Sequence, residues 1–286
     1  MNQPAAPAQP APSPLAVPAP WDLVAEGYSA EVDLIMRPVS LEALRRAQSK
    51  APHAIGPDTS VVDVAAGPGT LTFELASRTK QVDALDFSEN MLAELTQGLA
   101  RRAIQNVRAV QGDGMALPYA DASFEAGFSM FGLMFFPDRG RGFRELLRVL
   151  KPGGIAVVSS WGPLDISPAM DLMFGALRAA DPSMPPPQRN LLSLENAELF
   201  EREFKQAGFL DVSVEPYEYF VKLDSAEDYW YLMTRSAAPC MLMRKRLGEE
   251  EWARRSEVAQ AYLRDAFPKA RERLSTTAYL GFGRKV

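Results

Sequence analysis

The sequence is poor in several residue types, and each scarcity excludes a class of protein. A single cysteine, Cys240, cannot form an internal disulfide framework, which favours a reducing, cytoplasmic location. A single histidine, His53, precedes the first predicted strand, so we expect neither a hydrolase triad nor the usual histidine base. No run reaches the roughly 18 apolar residues of a membrane span, so we expect none.

Basic residues are also scarce relative to acidic ones. The 286 residues include 31 Lys and Arg against 36 Asp and Glu, which gives a net charge of −5. Because the basic residues are spread along the chain rather than clustered, we expect no nucleic-acid partner. No cluster of Asp, Glu, Asn and His suited to metal-assisted transfer is visible, so no metal is expected. The chain is expected to act as a monomer or a homodimer.

Proline is concentrated at the start of the chain. Residues 1–20 are mostly Ala and Pro, with a few small, polar or aliphatic residues. This composition prevents the helical core of a secretory signal and predicts a disordered tail with polyproline II character. The remaining residues, 21–286, belong to a sequence that is 47% hydrophobic, enough for one large domain with insertions.

Short apolar runs alternate with helical segments between residues 60 and 161, which is typical of a parallel sheet covered by helices. The predicted strands span residues 60–65, 81–85, 107–111, 124–130 and 155–161, with a turn at 151–154. Later segments predict helices at 167–180, 194–207 and 249–266, a further helix starting at Ser225, a strand at 212–223 interrupted at Pro216, and a last strand at 276–286.

A glycine turn follows the first predicted strand. In the segment 61–70, Gly67 and Gly69 bring the backbone close to a ligand, because glycine has no Cβ in the way. A dinucleotide site needs a third glycine where Thr72 stands, so a ligand without a pyrophosphate is favoured over NAD. Asp63, at the end of the strand, either anchors the turn or reaches an ammonium group.

Two more carboxylates follow the next strands. Asp86 ends the second strand, where a carboxylate can accept both hydrogen bonds of a ribose diol. Asp113 ends the third strand and is placed to accept from an adenine amino group. Because ligands bind at the carboxyl ends of strands in open α/β sheets, these positions predict a nucleoside site, although each residue is also compatible with a plain surface role.

Four segments together resemble a known family. They are VDVAAGPGT (62–70), VDALDFSENML (82–92), GDGMALPYADASFEAGFSMFGLMFF (112–136) and ELLRVLKPGG (145–154). In this order and spacing they resemble class I S-adenosylmethionine-dependent methyltransferases, nearest to the small-molecule group that includes the ubiquinone and menaquinone methyltransferases. The resemblance implies an α/β, Rossmann-like, doubly wound seven-stranded sheet with helical lid insertions.

The resemblance also implies the site and its cofactor, S-adenosylmethionine, with S-adenosylhomocysteine as product. The motif positions imply Ala65, Gly67 and Gly69 at the methionine part and Asp86 at the ribose. The adenine would lie among Phe87, Met91, Asp113, Gly114 and Met115, and the sulfonium near Ser129 and Met130. No catalytic residue is predicted.

Three regions outside the strand–helix alternation are predicted to select the acceptor. Residues 21–50 resemble N-terminal lid helices, in which Tyr28 either reaches the methyl group or only packs, and residues 163–193 and 224–270 are predicted substrate-side insertions. Apolar side chains there favour a small aromatic or apolar acceptor, although such stripes also form ordinary core. The candidates are Phe131, Met134, Met173 and Trp230. A noncatalytic cofactor-binding module and an NAD-dependent oxidoreductase remain the alternatives.

Overall fold

The computed structural model describes residues 14–31, 33–184, 194–271 and 274–286. Within them lie seven strands: β1 (Ser60–Val64), β2 (Gln81–Asp86), β3 (Val107–Gln111), β4 (Phe124–Met130), β5 (Leu150–Trp161), β6 (Leu210–Phe220) and β7 (Ser275–Arg284). The same residues form ten α-helices: α1 (Pro18–Glu31), α2 (Asp33–Lys50), α3 (Thr70–Ala76), α4 (Glu89–Arg101), α5 (Arg139–Val149), α6 (Pro168–Ala180), α7 (Ala197–Ala207), α8 (Ala226–Ser236), α9 (Ala238–Leu247) and α10 (Glu249–Ala270).

The strands form one mixed sheet in the order β3-β2-β1-β4-β5-β7-β6. Strands β1 to β5 run parallel, and β7 is antiparallel to both of its neighbours, β5 and β6. Helices α2, α3 and α6 contribute to one apolar cluster against the sheet, and α5 and α7 contribute to another. Burial on both faces explains why the central strands read as continuous apolar runs. The predicted doubly wound α/β fold is therefore confirmed.

Local signals for helix ends are also confirmed. Ser88 precedes α4, and its Oγ accepts a hydrogen bond from the backbone N–H of Met91 at 3.1 Å. Ser225 caps α8 by accepting from the N–H of Asp228 at 3.0 Å. Gly208 ends α7 with φ = +104°, a left-handed conformation that costs glycine little. Each cap satisfies a backbone group that the helix itself leaves unpaired.

Two predicted interruptions of the sheet are wrong. Residues 151–154 do not form a separate turn, because β5 already begins at Leu150, and its pairing with β4 shifts register before Ile155. The segment is tied to the end of β7 by hydrogen bonds from Gly153 N to Lys285 O and from Lys285 N to Gly154 O. Strand β6 continues through Pro216, since β6 lies at the sheet edge, where a missing N–H is tolerated.

The N-terminal region differs from the prediction as well. A short 3₁₀ helix covers Pro14–Ala16, and α1 begins at Pro18, so the described part of the predicted tail is helical. Prolines in the first turn of α1 remove only N–H groups that a helix leaves unpaired there. The rest of the predicted tail, residues 1–13, lies outside the described residues. So do residues 185–193, which carry the end of the predicted insertion 163–193.

The C-terminal helices are more numerous than predicted. A separate helix, α9, begins at Ala238 after the extended residue Ala237, and Gly248, with φ = +76°, separates it from α10. Helix α10 runs to Ala270 rather than ending at residue 266. Among the described residues, no helix is long and apolar enough to cross a membrane.

Candidate functional site

A cavity opens at the carboxyl ends of β1 to β4, where the strand order reverses between β1 and β4. Such a reversal leaves a crevice between the loops that leave the two strands in opposite directions. The cavity measures about 740 Å³ with its open mouth included. We call it the sheet-end cavity. It is lined by Leu15, Ala16, Trp21, Tyr28, Ala65, Gly67, Leu85, Asp86, Phe87, Met91, Gly112, Asp113, Gly114, Met115, Met130, Phe131, Gly132, Phe135, Phe136 and Pro137.

Asp86 supplies the buried carboxylate of this cavity and is only 4% exposed. Its Oδ2 accepts from Gly67 N at 2.8 Å, and its Oδ1 accepts from Ser88 N at 2.9 Å. Burial raises the pKa of Asp86, while the backbone donors oppose that rise. Because two carboxylate oxygens offer about four acceptor positions, both oxygens retain capacity for a further donor. The side chain is thus held in place with room to accept two hydroxyl groups.

The glycine turn shapes the wall beside Asp86. Gly67 has φ = +56°, and no atom lies within 4 Å of where its Cβ would stand, so a side chain there would project into open space. Ala65 also has a positive φ of +59°. Gly69 is absent from the lining and has a different role, because a Cβ at this position would meet Leu95 at 2.4 Å. The turn therefore presents backbone to the cavity at Gly67 and packs inward at Gly69.

Asp63 does not line the sheet-end cavity. It is 1% exposed, and its Oδ2 accepts from Thr72 Oγ1 at 2.7 Å. Burial raises the pKa of Asp63 to about 7, against the lowering effect of this hydrogen bond. Of the two roles that the sequence left open, the contact favours anchoring the turn. It also gives Thr72, at the position of a dinucleotide site's third glycine, a structural partner.

The loop after β3 lines the opposite wall. Asp113 Oδ1 accepts from Met115 N at 2.8 Å, which fixes the turn that carries both residues. A Cβ at Gly114 would meet the Phe136 ring at 2.4 Å and the Val64 side chain at 2.9 Å, so any other residue there would force these side chains to shift. Phe87, Met91 and Met130 also line the cavity, whereas Ser129 is fully buried with its Oγ accepting from Leu133 N at 3.1 Å.

Part of the predicted tail also forms a wall of the sheet-end cavity, ahead of the predicted lid at residues 21–50. Leu15 and Ala16 line the cavity, and Trp21 Nε1 donates to Leu15 O at 2.9 Å. The Trp21 ring lies 5.4 Å from Phe135 and 6.3 Å from Tyr28, measured between centroids. Trp21 was the available signal, because an isolated tryptophan after a proline-rich stretch needs an apolar partner.

A second, larger cavity adjoins the first. It measures about 1560 Å³ with its mouth included, and its walls are mostly apolar. We call it the apolar cavity. Its lining includes three of the predicted acceptor residues, Phe131, Met134 and Met173. Trp230 differs from the prediction, because it stacks on Trp252 at 5.7 Å outside the lining, while its neighbour Tyr229 faces the cavity.

The two cavities share five lining residues: Leu15, Trp21, Tyr28, Phe131 and Phe135. At their boundary Phe131 has φ = +57°, which is uncommon for a bulky residue. Its backbone N–H donates to Ser159 Oγ at 2.9 Å, and its ring stacks on Trp161 at 4.1 Å. These contacts hold the unusual backbone and keep the ring between the two spaces.

Few polar groups face the apolar cavity. Tyr229 OH donates to Ala169 O at 2.5 Å, and Ser236 Oγ donates to Leu232 O at 2.7 Å, so both are satisfied within the protein. Thr276 is 2% exposed, and its hydroxyl has no hydrogen-bond partner among the described residues. Burial, with the nearby charge of Asp86, raises the pKa of Tyr28 above its usual range. Its phenol therefore stays protonated near neutral pH.

Metal-binding and histidine chemistry find little support here. Within the described part of the chain, no three His, Cys, Asp or Glu side chains are grouped to hold a metal. His53 is exposed and lies in the turn before β1, at the opposite end of the sheet from both cavities. The carboxylate among the described residues of the apolar cavity is Glu195.

Comparison with known sequences identifies methyltransferase relatives. A family model described as a methyltransferase domain matches residues 61–154. The demethylmenaquinone methyltransferase of Staphylococcus aureus (strain JH9) is 34% identical over 170 residues, which cover 54% of this chain and 70% of that protein. The demethylmenaquinone methyltransferase of Desulfitobacterium hafniense (strain Y51) is 40% identical over 105 residues, 35% of this chain and 42% of that protein. The chain thus spans under half of this second relative.

Among solved structures, the [4+2]-cyclase SpnF is similar over the whole fold. The match has a TM-score of 0.60 and 19% sequence identity, and it covers 96% of this chain and 97% of the cyclase. At this identity the likeness concerns the fold alone. It extends to the regions after β5, which the match to the family model leaves out.

Proposed function

We propose that this chain, which belongs to the class I S-adenosylmethionine-dependent methyltransferases of the quinone-biosynthesis type, methylates a small, mostly apolar acceptor. The observation that carries the proposal is the pair of adjoining cavities. One holds a buried carboxylate and backbone-lined loops, the other is apolar, and they meet at Phe131 and Tyr28. A reaction that joins a polar nucleoside cofactor to an apolar partner needs such an arrangement.

The sheet-end cavity fits S-adenosylmethionine. Asp86 has acceptor capacity left on both oxygens for the ribose hydroxyls, and Gly67 leaves open the space that a Cβ would fill. Phe87, Met91 and Met115 would hold the adenine, with the Asp113 carboxylate at its edge. When bound, the cofactor supplies a methyl group already activated on a positively charged sulfur.

The main task left to the protein is to align the acceptor with the methyl group of the cofactor, without a metal ion. Well-oriented reactants gain about 7–11 kcal/mol from proximity, so placing the acceptor correctly accounts for much of the required acceleration. The Phe131 ring, fixed on Trp161, would orient the acceptor at the boundary between the cavities. Residues 14–31 and the insertions after β5 would exclude water from that boundary.

The acceptor is expected to ionise readily or to react without losing a proton first. Tyr28 and Tyr229 have raised pKa values, so neither phenol serves as a base near neutral pH. An acidic hydroxyl, a thiol or an electron-rich carbon fits these conditions best. Because the described walls carry no Lys or Arg to pair with an anion, we expect the acceptor to bind in its neutral form and to release any acidic proton only during the transfer.

Calorimetry and a transfer assay test the proposal. S-adenosylhomocysteine should bind the full chain with micromolar affinity, whereas NADH should not bind. Asp86→Ala should weaken binding about 10- to 100-fold, the equivalent of roughly 1.5–3 kcal/mol for hydrogen bonds to a charged group. Radiolabelled methyl transfer to a panel of apolar phenols, thiols and enols should then identify the acceptor class. Binding of NADH without any response to the adenosyl compounds would contradict the proposal.

A further inference from the structure

Asp22, near the start of α1, lines neither cavity, but it makes several hydrogen bonds to the beginning of α4. Its Oδ1 accepts from Ser88 Oγ at 2.5 Å and from Asn90 N at 3.4 Å. Its backbone carbonyl accepts from Asn90 Nδ2 at 3.1 Å. Three hydrogen bonds therefore join the beginning of α1 to the beginning of α4, although 66 residues separate Asp22 from Ser88.

Ser88 lies between Asp22 and the carboxylate of the sheet-end cavity. Its backbone N–H donates to Asp86 Oδ1, while its hydroxyl donates to Asp22 and accepts from Met91 N. Asp22 also faces the N-terminal end of α4, whose partial positive charge favours a carboxylate. The contact thus reaches Ser88, which is itself hydrogen-bonded to Asp86, the residue that the proposed function assigns to the ribose.

The neighbours of Asp22 cover the cavities. Trp21, the preceding residue, lines both, and Val24 and Ala25 are buried against Met91 of α4. The other end of α1 is held by α8, where Glu31 lies 3.4 Å from Arg235. Polar contacts therefore hold α1 at both ends, and the one made by Asp22 lies at the cavity.

We infer that Asp22 is a positioning residue that fastens the start of α1 over the sheet-end cavity, so that exchange of the nucleoside cofactor requires the Asp22–Ser88–Asn90 contact to break. This inference rests on the proposed function, because it takes the occupant to be an adenosyl compound. Breaking the contact would free Trp21 and Leu15 together, since Trp21 Nε1 donates a hydrogen bond to Leu15 O. Both cavities would then open on the side that Leu15 and Trp21 cover.

The dissociation rate of S-adenosylhomocysteine tests the inference in the full chain. Asp22→Ala removes the side-chain acceptor and should speed dissociation about 10- to 100-fold, the range expected for hydrogen bonds to a charged group. Asp22→Asn should have a smaller effect, because its amide oxygen can still accept from Ser88. Glu31→Ala is the matched control: it loosens the same helix at its other end and should leave the rate within about twofold.

Hydrogen exchange supplies a readout that needs no ligand. Amides of α1 should exchange faster in Asp22→Ala than in the unmodified protein, with the increase greatest near residue 22. An unchanged dissociation rate in Asp22→Ala, or an equal increase in Glu31→Ala, would overturn the inference and leave the proposed function intact. If the unmodified protein binds no S-adenosylhomocysteine, the proposed function fails, and the inference fails with it.

Discussion

Asp63 shows how a buried side chain can oppose stability and still serve the site. Its carboxylate is almost completely buried and has a hydroxyl, Thr72 Oγ1, as partner. Burial raises its pKa from 3.8 to about 7, so the folded state holds a proton that the unfolded state has already released above pH 4. Stability therefore decreases as the pH rises from about 4 to about 7, and the full cost is present above pH 7.

We expect Asp63→Asn to remove this pH dependence. The amide oxygen can still accept from Thr72, and the ionisation cost, at most about 4 kcal/mol for a shift of about three units, disappears. The variant should unfold at a higher temperature than the unmodified protein at pH 8, and the difference should shrink towards pH 4. Thermal unfolding followed by circular dichroism at several pH values measures this. A difference that stays constant across the range would contradict the assigned pKa.

Thr276 presents a related conflict in the apolar cavity, since its buried hydroxyl lacks a partner in the described structure. We expect Thr276→Val to raise the free energy of unfolding by about 1–3 kcal/mol, the usual cost of a buried unsatisfied group. If the hydroxyl binds a polar atom of the acceptor, the same change should raise the acceptor KM while the cofactor affinity stays constant. Denaturant unfolding and steady-state kinetics check the two parts separately. A stabilised variant with unchanged KM would make Thr276 a structural residue only.

At the scale of elements, the insertions after β5 supply part of the wall of the apolar cavity. Met173 on α6 lines it, whereas Trp230 on α8 packs on Trp252 outside its lining, although both are about equally buried. Burial alone therefore does not distinguish a residue that lines the cavity from one in the core. The helical face that each side chain occupies makes the difference, and neighbouring Tyr229 takes the position that the sequence suggested for Trp230.

We expect Met173→Ala and Trp230→Phe to separate these roles. Met173→Ala should change the acceptor KM or acceptor preference at least severalfold, because it enlarges the apolar cavity. Trp230→Phe should lower the unfolding temperature by loosening the stack on Trp252, with acceptor kinetics unchanged. Steady-state kinetics with calorimetric unfolding for both variants makes the comparison. Equal kinetic effects from the two changes would show that the lining does not identify the binding residues.

Much of this architecture was predictable from sequence, for reasons that differ between elements. β3 and β4 match their predicted bounds. β4 is a largely buried apolar run, whereas β3 is an edge strand without buried residues whose end is marked by Gly112 and Asp113. For residues 14–20 the prolines wrongly predicted a disordered tail. Local composition could not reveal that Trp21, the next residue, packs against Phe135, which is distant in the sequence. Asp63 and Ser129 belong to the right motifs but point away from the cavity, a distinction that depends on side-chain direction.

At the scale of the whole molecule, we predict that methyl transfer does not depend on a metal ion. The described residues include no group of three metal-binding side chains, and the proposed transfer uses an already activated methyl group. We expect methyl transfer to survive exhaustive treatment with EDTA, with a rate unchanged within about twofold. A radiolabel assay before and after chelation, with magnesium added back, tests this. Loss of activity that magnesium restores would require a metal in the mechanism.

The position of β7 in the sheet has a consequence for how the chain folds. β7 is the last strand in sequence, yet it lies between β5 and β6, and Ile155 pairs with Arg284 across more than a hundred residues. During synthesis, β6 is complete before β7 leaves the ribosome, so it has no strand to join and β5 keeps an open edge. The chain between β5 and β7 forms a long loop that must close before the two strands pair. Because such non-local pairing is slow, it delays completion of the sheet. Until β7 emerges from the ribosome, nascent chains would therefore expose the unpaired edges of β5 and β6 that β7 later joins. Chaperone binding would help most during this period.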